Sequence, residues 1–278
     1  MNTARRMQGV KSSLLGLMLC FTSMLDFAYA EPKQLPCQDP ACNTPVLFLT
    51  EHSLPGIFLD QDAKLSGATV DLVQELVRRL QLPADYHLLP WARAMQRAQQ
   101  SPRSVLFETV RTPEREALFH WVGPIKYYNM MLYGSEQFLN VTPANLSHSA
   151  VACGYRGASY NTALHDLGFV EGTNLVLVTR AGDCVTMVQL GRADITPLNE
   201  YRYGRLFQLN ELRLMPLQPL REVELYLALS LDFTVEEVAL WQHTLEQIYQ
   251  DGTLRTLYQN VFPEQIIVKL EQLAAKSD

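Results

Sequence analysis

Short apolar segments alternate with amphipathic segments along most of the chain, and this order limits the possible folds more than any other feature. Residues 46–50 have the composition of a buried strand, and residues 70–80 repeat apolar side chains every three to four positions, as an amphipathic helix does. A predicted strand at 86–89, a helix at 91–100 and a strand at 104–107 follow. Alternation this regular predicts an α/β fold with a mainly parallel sheet.

A second set of alternating segments begins near residue 150. The pattern predicts strands at 151–153, 175–178, 195–198 and 223–231, and helices at 160–167, 184–190, 235–249 and 253–258. The helical spacing near the end of the chain is interrupted at Asp251-Gly252, which is typical of a helix that stops and restarts.

The first thirty residues have the pattern of a secretory signal peptide. Arg5, Arg6 and Lys11 precede an apolar run at 14–25, and Ala28-Tyr29-Ala30 supplies small residues for cleavage after Ala30. The apolar run is shorter than the ~20 residues that span a bilayer. We therefore expect an exported, periplasmic protein in which residues 31–45 form an N-terminal extension.

The net charge limits the classes of partner, and the cysteine content indicates the redox environment. Removal of three basic residues and one acid with the leader leaves 20 basic and 28 acidic residues, a net charge of −8, which argues against a nucleic-acid partner. Four cysteines remain, an even number that suits disulfides in an oxidising compartment. Proximity favours the pairs Cys37/Cys42 and Cys153/Cys184, although other connectivities are possible.

The sequence lacks the common templates of enzyme and metal sites. Gly157-Ala158-Ser159 is only part of a nucleophile elbow, because Asn161 stands where that motif has glycine. No histidine lies four residues from another on a predicted helix, and no glycine-rich phosphate loop is present. We predict no catalytic residue, no metal ligand and no cofactor, and hence a protein that is not an enzyme.

The densest polar run, Arg111-Thr112-Pro113-Glu114-Arg115-Glu116, directly follows a predicted apolar strand. An arginine at the carboxyl end of a strand can hold a carboxylate in a bidentate fork, and ligands of open α/β sheets bind at that edge. A solvated, charged helix start explains the same residues equally well.

Several motifs occur in an order that resembles bacterial solute-binding protein family 3, over about residues 46–262. They are Glu51 with Leu54-Pro55, Gly67-Ala68-Thr69-Val70-Asp71-Leu72, Pro90-Trp91-Ala92-Arg93-Ala94, the run 111–116, Trp121-Val122-Gly123-Pro124-Ile125, Gly191-Arg192-Ala193-Asp194 and Asp251-Gly252-Thr253-Leu254. The resemblance implies a two-lobed periplasmic-binding-protein fold of type II with two crossover hinge segments. Lobe 1 is then expected at 46–132 plus 223–278, and lobe 2 at 133–222.

The resemblance also implies roles for individual residues. Arg115 matches the arginine with which the family's amino-acid binders grip the ligand carboxylate, and Ser159 lies in the matching turn of lobe 2. Asn199 stands where those binders have an acid that holds the ligand ammonium group. The ammonium group then lacks its countercharge, unless Glu200 supplies it. Glu51 either faces the cleft or caps a turn, and Trp91 is either a wall of the cleft or a core residue.

The implied function is capture of a small polar ligand, anionic or amino-acid-like, in the cleft between the lobes. The expected partner is an inner-membrane ABC permease, which would make this monomeric protein the receptor of an amino-acid importer. The alternatives are a stand-alone periplasmic sensor for a membrane signalling protein and, with less support, an enzyme on the same fold.

Overall fold

The computed structural model describes residues 44–180, 182–199 and 214–274. Several predictions lie outside these residues: the signal peptide with its cleavage after Ala30, most of the 31–45 extension, the Cys37/Cys42 pair and the role of Glu200.

Within the described residues the chain forms ten strands and eight α-helices. The strands are β1 Val46–Thr50, β2 Phe58–Leu59, β3 Leu65–Ser66, β4 Ala84–Leu88, β5 Ser104–Val110, β6 His120–Gly134, β7 Ala152–Tyr155, β8 Leu175–Val178, β9 Ile195–Asn199 and β10 Met215–Leu229. The helices are α1 Ala68–Leu80, α2 Trp91–Gln100, α3 Pro143–Ser149, α4 Asn161–Asp166, α5 Asp183–Gln189, α6 Val235–Gln250, α7 Thr253–Tyr258 and α8 Glu264–Ala274.

Eight of the strands form one sheet in the order β4-β1-β5-β10-β6-β9-β7-β8. The outer pairs β4–β1, β1–β5, β9–β7 and β7–β8 are parallel, whereas β5–β10, β10–β6 and β6–β9 are antiparallel. The prediction of a mainly parallel sheet therefore describes the two ends of the sheet and not its centre. The two parallel ends are the sheets of two α/β lobes.

The two long central strands, β6 and β10, connect the lobes. They pair in antiparallel register from Leu229 opposite His120 to Met215 opposite Gly134. Strand β10 begins at Met215 and not near residue 223 as predicted. Its Pro216 and Pro219 lie at register shifts against β6, where a proline does not interrupt the strand pairing. The exact lobe boundaries of 46–132, 133–222 and 223–278 remain a prediction.

We call the part that contains β4, β1, β5, α1, α2 and α6–α8 the first lobe. Its core lies between the sheet and the helices, and α1 contributes Val70, Leu72, Val73, Leu76 and Val77 to it from one buried face. This is the apolar stripe that the three-to-four spacing predicts. The helix ends at Gln81, which adopts a left-handed backbone conformation with φ of 55°.

We call the part that contains β7, β8, β9 and α3–α5 the second lobe. Its buried residues form smaller clusters, one around Leu146, Leu164, Phe169 and Ile195. A disulfide joins Cys153 on β7 to Cys184 on α5, so this predicted pair is present.

No helix in the three described ranges is both long enough and apolar enough to cross a membrane.

Candidate functional site

A cavity of about 630 Å³ opens where the carboxyl ends of the strands of both lobes face each other. Residues that follow β1, β5, β7 and β8 line it, together with residues of β6 and β9. The ends of parallel strands are where open α/β sheets bind ligands, because the loops there converge and their backbone groups are unpaired. The volume is in the range of small-molecule sites.

All five residues predicted for the ligand site line this cavity: Glu51, Trp91, Arg115, Ser159 and Asn199. The first three come from the first lobe and the other two from the second. Glu51 directly follows β1, Trp91 is the first residue of α2, and Asn199 is the last residue of β9. The structure thus brings together residues that are up to 148 positions apart in the sequence.

The Arg115 guanidinium spans the gap between the lobes. Its Nη1 donates to the Val110 carbonyl at 3.1 Å, and its Nη2 donates to the Gly157 carbonyl in the second lobe at 3.0 Å. The guanidinium carbon lies 5.0 Å from the centre of the Trp91 ring, within cation–π distance. These contacts hold the side chain at the cavity wall and use two of its five N–H donors.

The neighbouring acids do not neutralise Arg115. Glu116 instead forms a bidentate pair with Arg111, at 2.7 and 2.5 Å, and Arg115 makes no ion pair within the described ranges. Burial lowers the pKa of Arg115 from its ordinary value, and the charge of Glu114 acts in the opposite direction. A guanidinium keeps its charge in proteins, so Arg115 presents a cation to the cavity.

Trp91 lies both in the core of the first lobe and at the wall of the cavity. It is 7% exposed and packs in a cluster with Leu49, Leu106 and Phe119, so it belongs to the core of the first lobe. One side of the ring also borders the cavity beneath Arg115. A rigid, buried ring gives the arginine a fixed support.

Glu51 lies opposite a tyrosine of the second lobe. The Tyr155 hydroxyl donates to Glu51 Oε2 at a long 3.4 Å. Burial raises the pKa of Tyr155 to about 12, and the negative charge of Glu51 acts in the same direction. Tyr155 therefore remains protonated at neutral pH and presents a hydrogen-bond donor to the carboxylate.

The turn that carries Ser159 is held by side chains around it. The backbone N–H of Tyr155 donates to the Tyr160 hydroxyl at 3.0 Å, and Asn161 Nδ2 donates to the Tyr155 carbonyl at 2.9 Å. Arg221, on the connecting strand β10, reaches the Ser159 carbonyl at 3.4 Å. Both Arg115 and Arg221 thus contact carbonyls of the same turn from outside the second lobe.

The tyrosines of the connecting strand β6 and of the nearby second-lobe turn divide into two groups by position. Tyr128, Tyr155 and Tyr160 line the cavity, whereas Tyr127 points to the other face of β6 and lies under Lys269 at 4.0 Å. Burial raises the pKa of Tyr128. Strand alternation at 127–130 could have identified Tyr128 and Met130 as one face, had this segment been recognised as a strand.

Sequence reasoning missed Arg221 altogether. Its only local context is a proline-rich segment, and its position near Ser159 depends on how β10 pairs with β6.

The described part of the chain contains no group of three His, Cys, Asp or Glu residues placed to hold a metal ion. The polar groups that line the cavity are instead suited to an organic solute: a guanidinium, a carboxylate, an amide and hydroxyls.

Comparison with known proteins agrees with this geometry. Residues 47–264 match the family described as bacterial extracellular solute-binding proteins, family 3. No curated protein sequence shows significant similarity to the chain.

Solved structures with the same fold include transport and sensor proteins. A histidine kinase sensor domain with similarity to periplasmic binding proteins has a TM-score of 0.69 at 15% identity, over 80% of this chain and 97% of that one. A putative L-cystine ABC transporter protein from Listeria monocytogenes has a TM-score of 0.67 at 17% identity, over 80% and 98%. An ancestral arginine-binding protein bound to arginine has a TM-score of 0.69 at 15% identity, over 80% and 100%.

Proposed function

Since the chain belongs to family 3 of the bacterial extracellular solute-binding proteins, we propose that it captures a small polar solute with an anionic group between its lobes. Arg115 is the anchor for that group. The observation that carries the proposal is a guanidinium at the cavity wall that makes no ion pair within the described residues. A partly desolvated cation of this kind is stabilised by an anionic ligand, and a planar guanidinium suits a carboxylate.

The second half of the ligand would meet Glu51 and Asn199. A ligand ammonium group next to Glu51 would have the negative countercharge that the Asn199 amide lacks. An amino-acid-like solute therefore fits the two opposite charges of the lining, with its carboxylate at Arg115 and its ammonium group at Glu51. The similar structures named for arginine and L-cystine agree with this class of ligand.

The biological role that follows is delivery of the solute to a membrane importer after export and cleavage of the leader. A sensor role for a membrane signalling protein is the second candidate, because a histidine kinase sensor domain shares the fold over 80% of this chain. We assign no catalytic residue. Catalysis would require a proton-transfer group in the cavity, and Glu51 and His52 are the candidates in the described lining.

A thermal-shift screen of the protein from Glu31 onward tests the proposal. The panel contains amino acids, small organic acids, polyamines and short peptides. A ligand at 100 times its Kd should stabilise the fold by about 2.7 kcal/mol. Arg115→Ala should abolish this shift, because the anion loses its charged partner.

Arg111→Ala is the matched control, since Arg111 is exposed, pairs with Glu116 and does not line the cavity. It should keep the ligand shift. A ligand that binds the Arg115→Ala protein with unchanged affinity contradicts the anchor, and a panel in which only amines without a carboxylate bind contradicts the anionic class.

Uptake measurements separate the two roles. Deletion of the gene should abolish uptake of the identified ligand if the protein serves an importer. Unchanged uptake together with a lost transcriptional response to the ligand would favour the sensor.

A further inference from the structure

A buried ion pair joins the first lobe to the connecting strand β6, next to the loop that carries Glu51. Glu108 of β5 and Lys126 of β6 have side chains that are 5% and 3% exposed, and Lys126 Nζ donates to Glu108 Oε1. Burial of two charges is costly, and such a pair adds little to stability compared with apolar residues of the same size. The site described above does not use either residue, so their position calls for another role.

The pair is joined to the loop at residues 51–57 through Thr69 and Gly56. Thr69 Oγ1 donates to the same Glu108 oxygen at 2.7 Å, and the Thr69 N–H donates to the Gly56 carbonyl at 3.1 Å. A Cβ atom at Gly56 would lie 2.4 Å from Thr69 Oγ1 and 2.8 Å from Glu108 Oε1. Only glycine allows the loop to approach the carboxylate this closely.

This loop supplies one side of the cavity. Its residues Glu51, His52, Ser53 and Leu54 line the cavity, and Gly56 follows two positions later. A contact between Ser53 and Ile57, with hydrogen bonds of 3.0 and 2.8 Å, closes the loop on itself. The position of Gly56 therefore sets the position of the lining residues.

The same pair also reaches the connecting strand. Lys126 and Tyr128 lie two residues apart on β6 and hence on one face, and Tyr128 lines the cavity. Glu108 has a left-handed backbone, with φ of 56°, inside β5, which non-glycine residues adopt rarely. Because this conformation is costly, the surrounding structure must hold Glu108 in it.

We propose that Glu108, Lys126 and Thr69 are positioning residues for the solute site, which fix the 51–57 loop and Tyr128 without touching the ligand. The proposal rests on the proposed function only in assigning the cavity to a solute. Loss of the set should loosen the loop and weaken binding while the fold remains intact.

The decisive variant is the double substitution Glu108→Gln with Lys126→Met. It removes both charges, keeps an acceptor for Thr69 and keeps the side-chain volumes, whereas either single substitution leaves a buried polar group without its partner. The melting temperature should stay within a few degrees of the parent. Hydrogen exchange of the amides at 51–57 should become at least about tenfold faster, with exchange in α6 unchanged.

The control is Glu75→Gln with Arg79→Met, which removes a partly buried ion pair of α1 in the same lobe, together with the contacts of Arg79 to Asp251 and Thr253, at residues that do not line the cavity. It should leave loop exchange at the parent rate. Gly56→Ala is the second test, because its methyl group must displace the loop from Glu108, and it should accelerate the same amides.

Binding is then measured by calorimetry with L-arginine and L-glutamine as probes. A Kd about tenfold weaker in the double variant, with the control unchanged, supports the positioning role. Loop exchange at the parent rate in the double variant and in Gly56→Ala overturns it. The third outcome is faster loop exchange in the double variant while neither the parent nor the variant binds a probe. This outcome supports the positioning of the loop and counts against the amino-acid-like ligand.

Discussion

Both lobes have an α/β architecture, but their buried cores differ. In the first lobe a large core joins the sheet to α1 and to α6–α8, with side chains such as Phe48, Trp241 and Tyr258, and a smaller cluster around Trp91 packs α2 against the sheet. In the second lobe the described buried residues fall into smaller clusters, and a disulfide joins β7 to α5. Because a small core buries a smaller fraction of its surface, we expect the disulfide to contribute much of the stability of the described part of the second lobe.

The comparison is sharpest at two matched leucines. Leu254 on α7 and Leu164 on α4 are both 0% exposed, and both helices are six residues long. Truncation of a buried leucine to alanine costs about 2–5 kcal/mol, with higher values where the surroundings cannot collapse into the cavity. We expect Leu254→Ala near the top of this range and Leu164→Ala lower, as measured by urea unfolding. An equal or larger loss for Leu164→Ala would contradict the comparison.

The disulfide gives the next largest effect. Its cysteines are 31 residues apart, for which the chain-entropy argument gives a loss of about 3–4 kcal/mol when both become alanine. The loss should be confined to the second lobe. Hydrogen exchange should therefore become faster in β7, β8 and α5 while α1 and α6 keep their protection, and acceleration in both lobes would show that they unfold as one unit.

The smallest effect concerns helix starts. Thr234 and Glu237 form a capping box at the start of α6 in the first lobe, whereas Thr142 precedes α3 in the second lobe without a side-chain capping bond. Thr234→Ala should cost about 1 kcal/mol, and Thr142→Ala should cost less. Thermal unfolding of the two variants measures the difference, and equal losses would mean that the cap at Thr234 has no net value.

The strand and helix pattern was largely predictable because it depends on neighbours in the sequence. Helix α2 and strands β1 and β8 have the predicted bounds. Strand β6 was not recognised, since Gly123-Pro124 interrupts it and proline is unusual inside a strand. Helices α3 and α8 were not recognised as separate elements either.

For the candidate site the sequence indicated a set of residues and not their contacts, and the ligand-binding role of these residues remains a prediction. The motif order indicated Glu51, Trp91, Arg115, Ser159 and Asn199, and all five line the cavity. The sequence left open whether the run 111–116 holds a ligand or is a solvated, charged helix start. The structure places Arg115 against the Gly157 carbonyl, 42 positions away, while Glu116 binds Arg111.

What the sequence by itself determined about this protein is the alternation of elements and the family resemblance that led to the two-lobed fold, whereas the pairing of Cys153 with Cys184 was one of several connectivities until the structure placed the two cysteines together. The alternation and the resemblance follow from local periodicity and from residue order, which need only near neighbours. The tertiary structure alone decided the antiparallel centre of the sheet, the turn held by Arg115 and Arg221, and the Glu108–Lys126 pair beside the cavity loop. Each of these depends on which distant strands pair and in what register, and a shift of one residue would turn every side chain to the other face.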